Sequence, residues 1–327
     1  MHTHDQRSRL TGGSTSSVSV RPVPDRPWAV SPEMPIGLGC NTFGRITDET
    51  DSRHVLDAFV EAGGALVDTA DTYGASETII GGWMRERGNR DRMIISTKGG
   101  NHSDFDGLSP ETITGALEAS LRRLDTEYID VYFAHYEDST VPVEQSAAAF
   151  DTAFRAGKIR AVGLSNFAAA TVQKWITVAR SGGMATPVVL QPHYSLAHRQ
   201  PYESQYALMA AAERLSVLPY RALGGGFLSG KYRTAADTEG RARGAGMLPL
   251  LTPTGRKLLD VLDATARAHD VQPAAIALAW LLRQPTVTAP LTSATSVEQL
   301  NELLAAPRVS LDDAELARLT AAADPAE

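Results

Sequence analysis

MIISTKGGNHSDFDGLSPETITGALEASLRRLDTEYIDVYFAHYED, residues 93–138, reads as a strand, a helix and a second strand. Met93–Ser96 and Ile129–Ala134 are short runs rich in β-branched and aromatic residues. Between them Ser109–Leu124 carries the signals of a helix. Ser109 is placed to cap it, Pro110 suits the first helical position and Glu111 complements the dipole, while Ile113, Leu117, Leu121 and Leu124 fall on one face. A strand–helix–strand unit of this kind is the building block of a parallel sheet, because parallel neighbours need a crossover connection.

The same alternation repeats on both sides. Further strands are expected at Pro35–Leu38, Ala65–Val67, Ile159–Leu164, Val188–Leu190, Ser216–Pro219 and Val287–Pro290, which makes eight in all. The gap after the seventh is long: Lys231–Gly246, rich in Gly, Ala and Arg, reads as a mobile loop, and helical patterns follow near Thr254–Ala268 and Pro273–Arg283. No linker or composition break divides the chain. The expectation is therefore an α/β protein with a (β/α)8 TIM barrel as one domain over residues 28–327, with extra helices. Residues 1–27, dominated by Ser, Thr, Gly and Pro, are expected to form a disordered tail, with a short hairpin over Val18–Val30. No G-x-G-x-x-G follows a strand and no G-x-x-x-x-G-K-[ST] occurs, so the Rossmann and P-loop phosphate cradles are absent.

Composition narrows the function classes. The 327 residues are 43% hydrophobic and 21% charged with a formal net charge of −7, an ordinary globular balance that argues against a nucleic-acid groove. One cysteine, Cys40, excludes an intrachain disulfide and a cysteine-built metal cage. No run of 18 apolar residues and no signal-peptide core is present, so no membrane partner is expected and the cytoplasm is the simplest location.

In a barrel the chemistry collects where strands end. Asp68 and Tyr73 follow the second expected strand, Lys98 the third, His135 the fourth, Ser165 and Asn166 the fifth, Gln191 the sixth and Tyr220 the seventh. Each alone has a structural use: Asp68 as a helix cap, Tyr73 as a rim aromatic, Lys98 and His135 as hydrogen-bonded strand ends. Together they make an acid. A tyrosine near pKa 10 becomes a better proton donor when an ammonium favours its phenolate, Asp68 would hold that ammonium, and His135 could hydrogen-bond a carbonyl oxygen as charge develops there. His193 and His198 lack a carboxylate pattern, so no metal site is expected.

The segments GLGCNTFG (37–44), LVDTADTYG (66–74), IISTKGG (94–100), VYFAHYED (131–138), GKIRAVGLSNF (157–167), LQPHYSL (190–196) and GGGFLSGKY (224–232) complete the pattern. In this order they resemble the aldo-keto reductase family over about residues 35–305. The resemblance implies a barrel that binds a nicotinamide dinucleotide and transfers hydride between nicotinamide C4 and a carbonyl or alcohol, with Asp68, Tyr73, Lys98 and His135 as catalytic tetrad. It places Ser165, Asn166 and Gln191 on the carboxamide and Tyr220 against the nicotinamide ring. Leu223 and Gly224–Phe227, Gly226 included, fall on the pyrophosphate loop, Arg221 and Ala222 join the cofactor set, and Lys231 begins a closing strap. Gly39, Cys40 and Asn41 join the cofactor set from the first strand, and Ser293, Thr295 and Gln299 from beyond the eighth. Phe43, His102 and Tyr136 would line the substrate mouth.

The family implies NADP(H), usually held by a Lys or Arg after the eighth strand, yet none occurs between Gln284 and Pro307. NAD(H) therefore competes, unless Arg221, Arg241 or Arg243 supplies the missing charge. A second reading is a cofactor-sensing regulatory protein with little turnover. A hydrolase or lyase is disfavoured, because no carboxylate pair or metal cluster accompanies the set.

Overall fold

Alternation along two short strands positions the site. In β2 (Leu66–Asp68) and β3 (Ile94–Gly99), Leu66 and Asp68 share one face with Ile94, Ser96 and Lys98, while Val67, Ile95 and Thr97 face the other way. All six residues of β3 are buried, as a strand covered on both faces requires. The computed structural model describes residues 30–241 and 243–324. The remaining strands are β1 (Gly37–Gly39), β4 (Asn101–His102), β5 (Phe105–Asp106), β6 (Val131–Ala134), β7 (Val162–Ser165), β8 (Val189–Gln191), β9 (Ser216–Val217) and β10 (Leu291–Thr292).

Eight of these form one parallel sheet in the order β10-β1-β2-β3-β6-β7-β8-β9, with β4 and β5 a separate hairpin. The helix Pro110–Leu124 between β3 and β6 begins as expected: Ser109 accepts from Thr112 N, and Asp125 closes the helix in the left-handed region at φ 51°. Helices Pro253–Ala268 and Pro273–Leu282 also match. Two apolar clusters sandwich the sheet. The larger lies between strands and helices; the smaller, with Leu66, Ile94, Val131, Phe133, Val189 and Leu291, fills the inner face below Asp68 and Lys98. Gly163 of β7 is glycine for a steric reason, since a Cβ there would lie 2.4 Å from the Phe133 ring.

One strand expectation is corrected. The eighth strand is not Val287–Pro290 but β10, Leu291–Thr292. Pro290 has no N–H to give a ladder, so pairing with β1 is in register only from Leu291 onward, while Gly37 N uses the Pro290 carbonyl at 3.0 Å. The segment before it meets β9 instead: Thr288 N donates to Val217 O at 2.8 Å and Leu291 N to Pro219 O at 2.8 Å, drawing the two sheet edges together without a ladder. Lys231–Gly246, expected as a loop, contains a 3-10 turn at Ala236–Thr238 and the start of another at Gly244–Leu250. The β4–β5 hairpin has no counterpart among the expected strands. The expected tail over 1–27 lies outside the described residues, as does the expected Val18–Val30 hairpin apart from Val30. Among the described residues no helix is long and apolar enough to cross a membrane.

Candidate active site

Asp68 ends β2 as the acceptor for three donors. Ser96 Oγ donates to Oδ1 at 2.6 Å, Gln191 Nε2 to Oδ1 at 3.0 Å, and Lys98 Nζ to Oδ2 at 2.7 Å. Lys98 also donates to Thr69 O at 2.6 Å. Burial alone would push the lysine down, but Asp68 and Tyr73 outweigh it and hold the ammonium above its ordinary value. The side chain is 1% exposed.

Tyr73 faces that ammonium, with Lys98 Nζ 5.5 Å from its ring centroid. Lys98 lowers the phenol pKa as expected, but it is not the largest influence. Burial dominates and raises the Tyr73 pKa above its ordinary value, with the Lys98 charge opposing but not reversing it. The ring lies edge-on to His135, centroids 6.2 Å apart, and His135 in turn stacks on Tyr136 at 4.9 Å. Burial, then Lys98, drive His135 down to about 3, so the imidazole is neutral at pH 7. Its Nδ1 is enclosed without a partner among the described residues.

Ser165, Asn166, Gln191 and Tyr220 form a linked set. Ser165 Oγ donates to Gln191 O at 3.0 Å, Asn166 Nδ2 to His135 O at 2.9 Å, and Tyr220 OH to Asn166 Oδ1 at 2.8 Å. Asn166 holds this pose with φ 57°, a left-handed conformation that asparagine tolerates. The network spends most of the polar groups expected to grip a carboxamide.

A cavity of about 540 Å³ opens above. Asp68, Tyr73, Tyr136, Gln191 and Tyr220 line it, as do Arg221, Ala222, Leu223, Gly226, Lys231, Arg241 and Arg243, and Gly39, Asn41, Ser293, Thr295 and Gln299. Asn41 Oδ1 accepts from Ser293 Oγ at 3.0 Å and from Arg243 at 3.4 Å. Gln299 Oε1 accepts from Thr295 N and Oγ1 at 2.8 and 3.0 Å. Among the described residues Arg221, Lys231, Arg241 and Arg243 form no ion pair, although Lys231 and Arg241 both lie over the Tyr232 ring. Gly225, at φ 72°, also lines the wall, between Gly224 and Gly226 at φ 59° and 109°.

Several sequence expectations fall elsewhere. Phe43 is not at the mouth: it is wholly buried in the core, because the turn Cys40–Gly44 directs it inward, and Thr42 and the exposed Ile46 line the cavity instead. His102 stands on the β4–β5 hairpin, where its Nδ1 accepts from Asp104 N, and is not a lining residue. Cys40 is buried, its thiol pushed well above the ordinary value by burial and then Asp68, with Sγ toward Leu38 O. Ser165, Asn166 and Gly224 stand behind the lining rather than on it. Thr292 is on the wall and escapes the sequence pattern, which places the eighth strand four residues early; Ile46 carries no sequence signal of its own.

The Aldo/keto reductase family profile matches residues 35–324. The chain belongs to that family. Its fold is a (β/α)8 barrel. Among relatives, Protein tas of Escherichia coli (strain K12) is 31% identical, covering 88% of this chain and 93% of that protein. Norsolorinic acid reductase of Aspergillus flavus is 30% identical, covering 86% and 76%. A probable voltage-gated potassium channel subunit beta of Oryza sativa subsp. japonica is 32% identical, covering 80% and 83%. The family and its reductase-named members make this chain an oxidoreductase by relationship.

Proposed function

We propose that this aldo/keto reductase family member is one barrel domain that interconverts a small-molecule carbonyl and alcohol with a nicotinamide dinucleotide, Tyr73 acting as general acid and base. One observation carries the reading: a buried Asp68–Lys98 pair, its aspartate on the cavity wall, lies beside a cavity-lining tyrosine, 5.5 Å from Nζ to the ring centre. A bound nicotinamide supplies or accepts the hydride; the chain's residues govern the proton. Tyr73 holds it at the phenol oxygen at neutral pH and can release it to a carbonyl oxygen becoming an alkoxide, which is far more basic than a phenolate. Lys98 then stabilises the phenolate left behind. Neutral His135 is suited to donate a ring N–H to the same oxygen without adding a charge.

The family generally uses NAD(P)H. The donor set suits the phosphates: four cations without ion pairs and a wall of left-handed glycine backbone where chain can approach closely. Gln191 keeps its side-chain carbonyl for a carboxamide, and Tyr220 offers a ring face. Three of the cations come from the strap that begins at Lys231, which offsets the cation missing after β10. This favours NADP(H) over NAD(H).

The test is loss of nicotinamide absorbance against a panel of aldehydes and ketones. Turnover with NADPH should exceed that with NADH, and Tyr73→Phe should lose at least about 100-fold in kcat with cofactor Kd changed less than about threefold. Equal damage to both would remove Tyr73 from the acid role. The relative named as a channel subunit keeps a sensor reading in view; cofactor binding with no turnover on the panel, unaffected by Tyr73→Phe, would establish it.

A further inference from the structure

Tyr220 lines the cavity and carries a histidine stacked on its ring. His193 stacks on Tyr220 with centroids 5.4 Å apart and planes at 28°, and His198 stacks on His193 at 3.8 Å and 13°. Neither histidine lines the cavity. We infer that His193, braced by His198, fixes the Tyr220 ring in its cavity-facing pose and is thereby a positioning residue for cofactor stacking; this rests on the function proposed above.

Tyr220 also packs against the smaller apolar cluster, and His193 adds a ring-on-ring contact to its face. The root of Tyr220 is tied by its N–H to Pro192 O at 3.0 Å, and its tip by the hydroxyl to Asn166 at 2.8 Å. Two points define an axis, and a ring held only at its root and tip can still turn about it. A face contact removes that freedom. The brace is itself rigid, because His198 N donates to Ser195 O at 3.0 Å and Ser195 N to His198 O at 3.3 Å, closing a tight turn beneath it.

The charged neighbour of the column is Arg221, and besides Tyr220 and the two histidines the titratable groups facing it are Tyr136, Tyr73 and Tyr206, all on the Tyr220 side. Burial, then His198 and Arg221, push His193 down to about 4, so both rings remain neutral and stack without repulsion at neutral pH. Ordering the ring before binding spares the cofactor that cost. An aromatic contact of this type corresponds to about threefold to tenfold in affinity.

The experiment compares the wild type with His193→Ala, His193→Phe and His198→Ala by NADPH titration of intrinsic fluorescence, together with kcat, KM and thermal melting. His193→Ala should raise the NADPH Kd and KM about threefold to tenfold at near-unchanged melting temperature, and His193→Phe should restore both to within twofold. An unchanged Kd in His193→Ala, or no rescue by Phe, overturns the inference. A second readout needs no cofactor: in 13C-tyrosine-labelled protein the Tyr220 ring signal, assigned by Tyr220→Leu, should carry a ring-current shift that His193→Ala abolishes and Phe restores. A wild type that binds neither NADPH nor NADH overturns the functional reading, while the ring signal still decides whether His193 holds Tyr220.

Discussion

Tyr73 keeps its proton because burial outweighs the ammonium beside it, so Lys98 exerts its effect once the proton has left, on the phenolate. The pair that makes this possible is also structural. Removing one partner of a buried ion pair leaves the other charge uncompensated, typically at about 3–5 kcal/mol. Lys98→Met should therefore lose turnover and also about that much stability, measured by urea unfolding; a variant as stable as wild type would mean that Asp68 is neutral or solvated. At this scale the sequence was informative, since Asp68, Lys98, Tyr73 and Gln191 do converge. It was poorest where orientation decides. Phe43 and Tyr136 both follow strand ends, yet one turns into the core and the other stays 46% exposed, a difference set by turn geometry that residue type does not encode.

Between elements, the instructive case is the strap against β10. A cation was expected after the eighth strand, and its absence left the cofactor undecided. The segment after Lys231, whose composition reads as a mobile loop, carries 3-10 turns that bring Arg241 and Arg243 to the cavity wall, where Arg243 reaches Asn41 at 3.4 Å. Such turns lack apolar periodicity, so the pattern that revealed the helices was blind to them. Charge-assisted hydrogen bonds to a phosphate are worth about 1.5–3 kcal/mol. Replacing both Arg241 and Arg243 by Ala should thus raise the KM for NADPH more than tenfold while changing that for NADH less than threefold. Equal losses with the two cofactors would put these arginines on the shared pyrophosphate instead.

For the whole molecule, seven of the eight short strands of the main sheet and their crossovers were legible because apolar runs alternate with amphipathic segments, but the charge balance of the interior was not. Asp71, between Asp68 and Tyr73, is 3% exposed, and both its carboxylate oxygens are enclosed without a partner among the described residues. Nearby Glu77 is satisfied by Thr97 Oγ1 and Arg123 Nε, each at 2.6 Å. Burial, then Glu77, raise Asp71 to about 7 from 3.8. The folded state thus holds a proton that the unfolded chain releases, and this contribution to stability is full below pH 3.8 and lost as pH rises through about 7. His135 and His193 act with the opposite sign. Held to about 3 and about 4 against 6.5, they contribute stability that is present above 6.5 and lost as pH falls toward those values. Between pH 4 and 6.5 stability should consequently climb on the two histidines against an opposing sag from Asp71, which is complete just above pH 7. Asp71→Asn preserves the shape of the protonated acid and removes only the sag. It should match the wild type at pH 4 and exceed it at pH 8 by up to about 4 kcal/mol, read from urea midpoints at the two pH values. Equal gains at both would mean that packing, not ionisation, is what Asp71 costs the fold.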